Sequence, residues 1–156
     1  MANLSSRPIN NTTVNKPTKA VIQQETTGCA IASAAAIAKI EYEKAKTIAN
    51  QIGIYAADIC IWSETQPIRT LLKQLDIQTT PSESHFTRWD DLPDCALLAL
   101  KWHLEHGKPH WHWAVFVRDE NHCYVLDSNK RLKANIRTDF GRMRHKWFIE
   151  VYPSEP

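Results

Sequence analysis

Residues 23–39 have the sequence QQETTGCAIASAAAIAK, and both the fold and the chemistry of the chain depend on this stretch. From Cys29 onward the side chains are small or apolar and favour a helix, which predicts a helix over residues 29–39. Thr27 and Gly28 stand directly before it and are typical of a turn or cap at a helix start. Because small side chains surround this helix on all sides, we expect it to be buried at the centre of the domain.

Cys29 falls in the first turn of this predicted helix. Unpaired backbone N–H groups and the helix dipole favour a negative charge there, and a thiol attacks a carbonyl group as the thiolate. Gln23 and Gln24 are both candidates for an amide N–H that, with the N–H of Cys29, would form an oxyanion hole worth about 3 kcal/mol. The pattern favours a nucleophilic cysteine, although a cysteine in an alanine-rich helix also fits as a small core residue.

Helices precede strands along the chain. Two further helices are predicted, at Tyr42–Gln51 and at residues 67–75, where a proline stands in the first turn. Strand patterns follow at residues 95–102, 110–118, 122–128 and 145–152, with hairpin loops at residues 105–109 and 119–122. Helices that are followed by an antiparallel sheet make the expected fold α+β.

The register of the second predicted hairpin selects the partner of the thiol. His110 and His112 lie on one face of a regular strand, so alternation alone does not separate them. The loop at residues 119–122 pairs Arg118 with Cys123 on the two flanking strands. His112 is then the diagonal neighbour of Asp127, within reach of a hydrogen bond, and His110 lies one step further away. We therefore predict His112 as the base and Asp127 as the carboxylate that orients it.

Length and composition fit one globular domain. The chain has 156 residues, 43% hydrophobic and 23% charged, with a formal net charge of +2. Residues 1–18 are predicted to be a flexible polar tail, and residues 19–156 a single domain. No apolar run reaches the roughly 18–20 residues of a membrane span, and the N-terminus lacks the apolar segment of a secretory signal. We therefore expect a cytoplasmic protein, or one exported without a cleaved signal peptide.

The other three cysteines are interpreted as structural. They are widely spaced, no Cys-x-x-Cys pair occurs, and free thiols are typical of a cytosolic protein of this size. Cys60, Cys95 and Cys123 lie in apolar surroundings, and Cys29 alone has the electrostatics of a reactive thiol.

Several histidines and tryptophans allow rival interpretations. His103, His106, His110 and His112 straddle a predicted loop without a helical His-Glu-x-x-His pattern, so no metal and no cofactor is predicted. Trp62 and Trp113 are candidates to line a substrate groove. Strand alternation turns Trp113 away from His112, which makes Trp62 the stronger candidate.

Residues 130–146 form a basic stretch, with seven Lys or Arg against one acid, Asp139. A solvated hairpin is the default interpretation, and a docking surface for an acidic partner is the alternative. No nucleic-acid-binding module is recognisable, so no nucleic-acid partner is predicted.

The segments QQETTGCAIASAAAIA, HWHWAVFV and CYVLD resemble the papain-like cysteine peptidases that process bacteriocin leaders at double-glycine sites, and most closely their stand-alone relatives. The resemblance spans roughly residues 20–130. It implies that Gln23 rather than Gln24 supplies the oxyanion hole, with Cys29 as nucleophile, His112 as base and Asp127 as orienting acid. It also implies a papain-like fold, with the nucleophile on a central helix packed on a C-terminal antiparallel sheet.

Two positions depart from that family. Gly28-Cys29-Ala30 stands where Asp-Cys-Gly is frequent, and Asp127-Ser128 stands where Asp-Pro is frequent. The leading hypothesis is a cysteine peptidase or amidase that cleaves a peptide or protein substrate. The alternatives are a catalytically idle peptide-binding module and an amidase toxin acting on cell-wall material or a host protein.

Overall fold

The computed structural model describes residues 16–120 and 122–153. Within these ranges, three α-helices come first, at Cys29–Ala38 (α1), Tyr42–Gln51 (α2) and Gln66–Gln74 (α3). Seven strands follow, at Gln78–Thr79 (β1), Ser84–His85 (β2), Cys95–Glu105 (β3), Lys108–Asp119 (β4), His122–Leu126 (β5), Ile136–Arg137 (β6) and His145–Tyr152 (β7). Short 3₁₀ turns occur at Ile59–Trp62, Trp89–Asp91 and Phe140–Arg142.

The strands form one antiparallel sheet in the order β1-β7-β3-β4-β5-β6, with β2 also paired to β7. The helices pack on one of its faces, so the predicted α+β class is confirmed. Arg118 of β4 pairs with Cys123 of β5, as the hairpin analysis predicted. The three two-residue strands were not predicted, since so short a segment carries no alternation pattern.

Helix α1 is the centre of the larger hydrophobic core. All its residues from Cys29 to Ile37 are buried, and alanine side chains let the helix approach β4 closely. The helix ends one residue before the predicted limit, because Lys39 adopts a left-handed conformation with φ 59°. A residue in this conformation cannot continue a right-handed helix, and its N–H caps the last turn.

Strand β4 is longer than its neighbour β5, and this difference makes room for the site. The last pairing between the two strands joins Val115 to Leu126, so β4 residues before Val115 have no partner on that side. On the other side β4 pairs with β3 through a bulge between Leu100 and His103. The start of α1 occupies the edge of β4 that β5 leaves free.

The chain already contacts the domain at Lys16 and Pro17. The Lys16 ammonium donates to the Arg118 carbonyl, and the Pro17 carbonyl accepts a hydrogen bond from the Tyr124 hydroxyl. Both residues belong to the predicted polar tail of residues 1–18, of which residues 1–15 lie outside the described residues.

Candidate active site

Cys29 is the first residue of α1 and lies against the free edge of β4. Only 4% of the residue is exposed, and its sulfur accepts a hydrogen bond from the backbone N–H of Trp113 at 3.4 Å. As the first helical residue, Cys29 has a backbone N–H without an acceptor inside the helix. The thiol therefore sits where the helix dipole and an outside N–H donor both favour a negative charge on sulfur.

His112 reaches Asp127 across the hairpin. Its Nε2–H donates to Asp127 Oδ1 at 2.7 Å, which leaves Nδ1 as the ring nitrogen available to the thiol. Burial lowers the pKa of His112, but hydrogen bonds and charge attraction from Asp127 and Cys29 outweigh it and raise that pKa to about 9. The histidine is thus held as an imidazolium beside the thiol at neutral pH.

Asp127 is buried and stays ionised. Burial raises the pKa of Asp127, but hydrogen bonds and nearby positive charge outweigh burial and lower this pKa to about 2. The largest of the lowering effects comes from His112, and a hydrogen bond from Arg137 contributes as well. The carboxylate also accepts the Asn129 backbone N–H at 3.1 Å on Oδ1. The opposite shifts of His112 and Asp127 describe one ion pair.

His110 does not take this place. It is 2% exposed, and its Nδ1 has no hydrogen-bond partner among the described residues. Its Nε2 lies 3.9 Å from Glu105 Oε1. The structure therefore brings His112, rather than His110, to Asp127, in agreement with the hairpin register.

The side chain of Gln23 is fully engaged. Its Nε2 donates to the Glu25 carbonyl at 3.1 Å and to the Thr26 carbonyl at 2.7 Å, while its Oε1 accepts from the Ser128 hydroxyl at 2.7 Å. An amide has two N–H donors, so neither is left for an oxyanion in this arrangement. The predicted role of Gln23 requires that one of these bonds be given up. Gln24 is exposed.

Gly28 allows the turn before Cys29 to pack tightly. A Cβ at this position would overlap the Tyr42 hydroxyl of α2. That hydroxyl in turn donates to the Glu25 carboxylate, which also pairs with Lys46. Any larger side chain at position 28, an aspartate included, would therefore require the Tyr42 hydroxyl to move away from Glu25.

The two tryptophans predicted for a groove differ in exposure. Trp113 is 0% exposed, packs in the core and donates from Nε1 to the Ile61 carbonyl at 3.0 Å. It has no surface to offer a substrate, so its assignment to the groove is wrong. Trp62 is partly exposed and lies beside His110, with 6.3 Å between the ring centroids. Trp62 remains the candidate for the groove.

Sequence reasoning missed Arg137, Asn135 and Ser128. Arg137 donates to Asp127 Oδ2 at 3.0 Å, although the basic stretch that contains it was interpreted as solvated. Asn135 donates to the Asp127 carbonyl at 2.7 Å, and its own carbonyl accepts the Asp127 N–H. Predicting the contacts of Arg137 and Asn135 with Asp127 would have required a strand β6 beside β5. A strand of two residues is too short to show an alternating pattern in the sequence. The other six basic residues of the stretch are exposed, and an acidic partner stays a prediction.

The remaining histidines form no metal site within residues 16–120 and 122–153, where no cluster of three His, Cys, Asp or Glu side chains is suitably placed. His103 instead bonds Glu105 at 2.7 Å. In the same part of the chain, no helix has the length and apolar character needed to cross a bilayer.

The fold is similar to that of a double glycine motif protease from an AMS/PCAT transporter, solved in complex with the leader peptide. The superposition has a TM-score of 0.54 at 13% sequence identity and covers 90% of this chain and 96% of that chain. No protein-family model and no curated protein sequence matches the chain. The likeness confirms the predicted papain-like arrangement at the level of the fold.

Proposed function

We propose that this protein is a cysteine peptidase that uses Cys29 as nucleophile, His112 as proton carrier and Asp127 as the orienting carboxylate. The observation that supports it most is the continuous chain from the thiol at a helix N-terminus through His112 to a buried carboxylate. Asp127 and Cys29 both raise the pKa of the largely buried His112. Such a perturbed histidine beside a thiol is typical of a site that activates the thiol as a nucleophile.

The chemistry proceeds in two steps. The Cys29 sulfur attacks the carbonyl carbon, and His112 Nδ1–H gives its proton to the leaving amine as the C–N bond breaks. A water then loses its proton to His112 and attacks the acyl-enzyme, which releases the acid and returns the proton to the Cys29–His112 pair. Asp127 stays ionised throughout and stabilises the imidazolium.

The oxyanion of the intermediate would be bound by the free backbone N–H of Cys29. Gln23 would be the second donor after one of its two bonds to backbone carbonyls opens on substrate binding. Loss of one such donor typically costs about 3 kcal/mol of transition-state stabilisation. The substrate-bound state is therefore expected to differ from this one at residues 23–26.

The proposed substrate is an extended peptide with a small residue before the scissile bond. Cys29 and His112 are largely buried, which leaves little room for a bulky side chain at the reacting carbonyl. The structurally similar protease was solved with a leader peptide, which motivates glycine as the first residue to test. Trp62 would support the peptide beside the site.

A second candidate is a peptide-binding module without turnover. The engaged amide of Gln23 favours it, because an oxyanion hole with one donor fewer catalyses poorly. In this case the surface beside Cys29 and Trp62 would capture a peptide, and the Cys29–His112 pair would not complete hydrolysis.

One experiment separates these functions. The protein is labelled with iodoacetamide at about pH 6, where ordinary thiols are mostly protonated, and the sites are mapped by mass spectrometry. Cys29 is expected to react first, while burial raises the pKa of Cys95 to about 12 and also raises that of Cys60. In parallel, a peptide library and muropeptides are incubated with wild type, Cys29→Ala and the control Cys60→Ala.

Cleavage that Cys29→Ala abolishes and Cys60→Ala retains supports the peptidase, and a preference for glycine before the cut supports the proposed substrate. Cleavage of muropeptides alone would support the amidase alternative. Binding without cleavage would support the idle module, and wild-type turnover by Cys29→Ala would refute the proposed nucleophile.

A further inference from the structure

Arg137 joins two carboxylates beside the proposed active site. Its Nη1 donates to Asp127 Oδ2 at 3.0 Å, and its Nε and Nη2 donate to the two oxygens of Asp139 at 2.9 and 2.7 Å. The Arg137 side chain is only 13% exposed and that of Asp127 only 2%, whereas Asp139 is 43% exposed. The guanidinium therefore links a buried carboxylate to one at the surface.

The two oxygens of Asp127 have separate partners. Oδ1 accepts from His112 Nε2 and from the Asn129 backbone N–H, and Oδ2 accepts from Arg137. These three donors come from three different parts of the chain and define the plane of the carboxylate. Because Oδ2 is buried, Arg137 is its main compensation for lost hydration.

Sheet register explains why Arg137 is in reach. Residue Val125 of β5 pairs with Arg137 of β6, so Arg137 is the diagonal neighbour of Asp127 on one side. His112 is its diagonal neighbour on the other side, across β4 and β5. Asn135 holds the backbone of Asp127 through two hydrogen bonds and so keeps β6 in this register.

We propose that Arg137 is a positioning residue of the active site, which holds the Asp127 carboxylate ionised and turned so that Oδ1 faces His112. The proposal rests on the proposed cysteine-peptidase function. A guanidinium suits this task because its rigid, planar fork binds two carboxylates at fixed angles. Without it, Asp127 would keep a buried oxygen without a partner and would rotate or take up a proton, which weakens the imidazolium and the attacking thiolate.

The test compares Arg137→Met, which removes the charge and the donors but keeps much of the volume, with Arg137→Lys and Arg137→Gln. Asp139→Asn is the matched control, because it changes the other ion pair of Arg137 and leaves the contact with Asp127. Each variant is checked for folding by near-UV circular dichroism. Two readouts follow, the iodoacetamide rate at Cys29 against pH and the NMR titration of the His112 ring.

We expect Arg137→Met to lower the Cys29 rate at about pH 6 by about 10-fold, the scale of one buried charged group losing its partner. The His112 titration should move to lower pH in the same variant. Arg137→Lys and Arg137→Gln should fall between Met and wild type, and Asp139→Asn should stay within about 2-fold of wild type. A structural ion pair alone would change stability without moving either pH profile.

The proposal is overturned if folded Arg137→Met has the same Cys29 rate profile and the same His112 titration as wild type. If Arg137→Met does not fold, the same comparison is made with Arg137→Gln. A faster rate would also overturn it, since the arginine charge would then oppose the imidazolium. Neither readout needs a substrate. If wild type cleaves no peptide, the proposed function fails while the effect of Arg137 on Cys29 and His112 is still measured.

Discussion

Gln23 and Ser128 are joined by two buried hydrogen bonds. The Gln23 backbone N–H donates to the Ser128 carbonyl at 3.0 Å, and the Ser128 hydroxyl donates to Gln23 Oε1 at 2.7 Å. Ser128 follows Asp127 directly, and Gln23 begins the loop that ends at Cys29. The pair therefore connects the segment that leads to Cys29 with the segment that follows Asp127, and a proline at position 128 would lack the hydroxyl that makes the second bond.

Ser128→Ala removes the second of these bonds and leaves Gln23 Oε1 buried without its donor. A buried acceptor that loses its partner costs about 1–3 kcal/mol, so the free energy of unfolding should fall by this amount in urea denaturation. The exposed Ser82→Ala serves as control and should change it by less than about 0.5 kcal/mol. An unchanged midpoint in Ser128→Ala would show that this bond contributes nothing.

Stability should depend on pH through the His112–Asp127 pair. The pKa of His112, about 9, lies above the ordinary 6.5, so its stabilisation is full below pH 6.5 and is lost as pH rises toward 9. The pKa of Asp127, about 2, lies below the ordinary 3.8, so its stabilisation is present above that pH and is lost as pH falls toward 2.

Between pH 6.5 and 9 the unfolding free energy of wild type should therefore fall by on the order of 1–3 kcal/mol more than that of His112→Gln. Denaturant titrations at several pH values measure the difference. His110→Gln is the matched control on the same strand and should retain the slope of wild type. Parallel curves for wild type and His112→Gln would contradict the ion pair.

Gly28→Ala tests the close packing directly before Cys29. The added Cβ would overlap the Tyr42 hydroxyl, so a loss of about 1–3 kcal/mol in unfolding free energy is expected, together with slower alkylation of Cys29. Gly141→Ala is the control, since nothing lies within 4 Å of a Cβ there.

Tyr42→Phe removes the hydroxyl that causes the overlap. In this background Gly28→Ala should cost clearly less than it does in wild type, which a double-mutant cycle measures as a coupling energy. Equal costs in both backgrounds would mean that the strain at Gly28 has another source.

Trp113 and Trp62 should respond differently to truncation. Trp113→Ala empties a fully buried site and should destabilise the fold by about 3–5 kcal/mol. Trp62→Ala should cost less stability and raise KM for a cleaved peptide, because its partly exposed ring is the one that a substrate can reach. An unchanged KM in Trp62→Ala would remove it from the groove.

Local sequence determined the helices and the main hairpin. Alanine-rich residues after Cys29 propagate a helix with little loss of side-chain entropy, and Gly28 marks its start. The His112–Asp127 contact also followed from the sequence. Strand alternation and the register of one hairpin together determine which residues are neighbours on one face of the sheet. These are short-range rules, so they hold without knowledge of the rest of the fold.

Tertiary structure alone decided the rest of the site. The folded loop turns both N–H donors of Gln23 onto the carbonyls of Glu25 and Thr26, while its Oε1 accepts from Ser128, 105 residues away. Arg137 pairs with the buried carboxylate of Asp127, ten residues away, because β6 lies beside β5. The burial of Trp113 followed from the position of α1 on the sheet. Hydrogen-bonding capacity is visible in a sequence, but its use depends on which groups the packed chain deprives of water, and only the three-dimensional arrangement decides that.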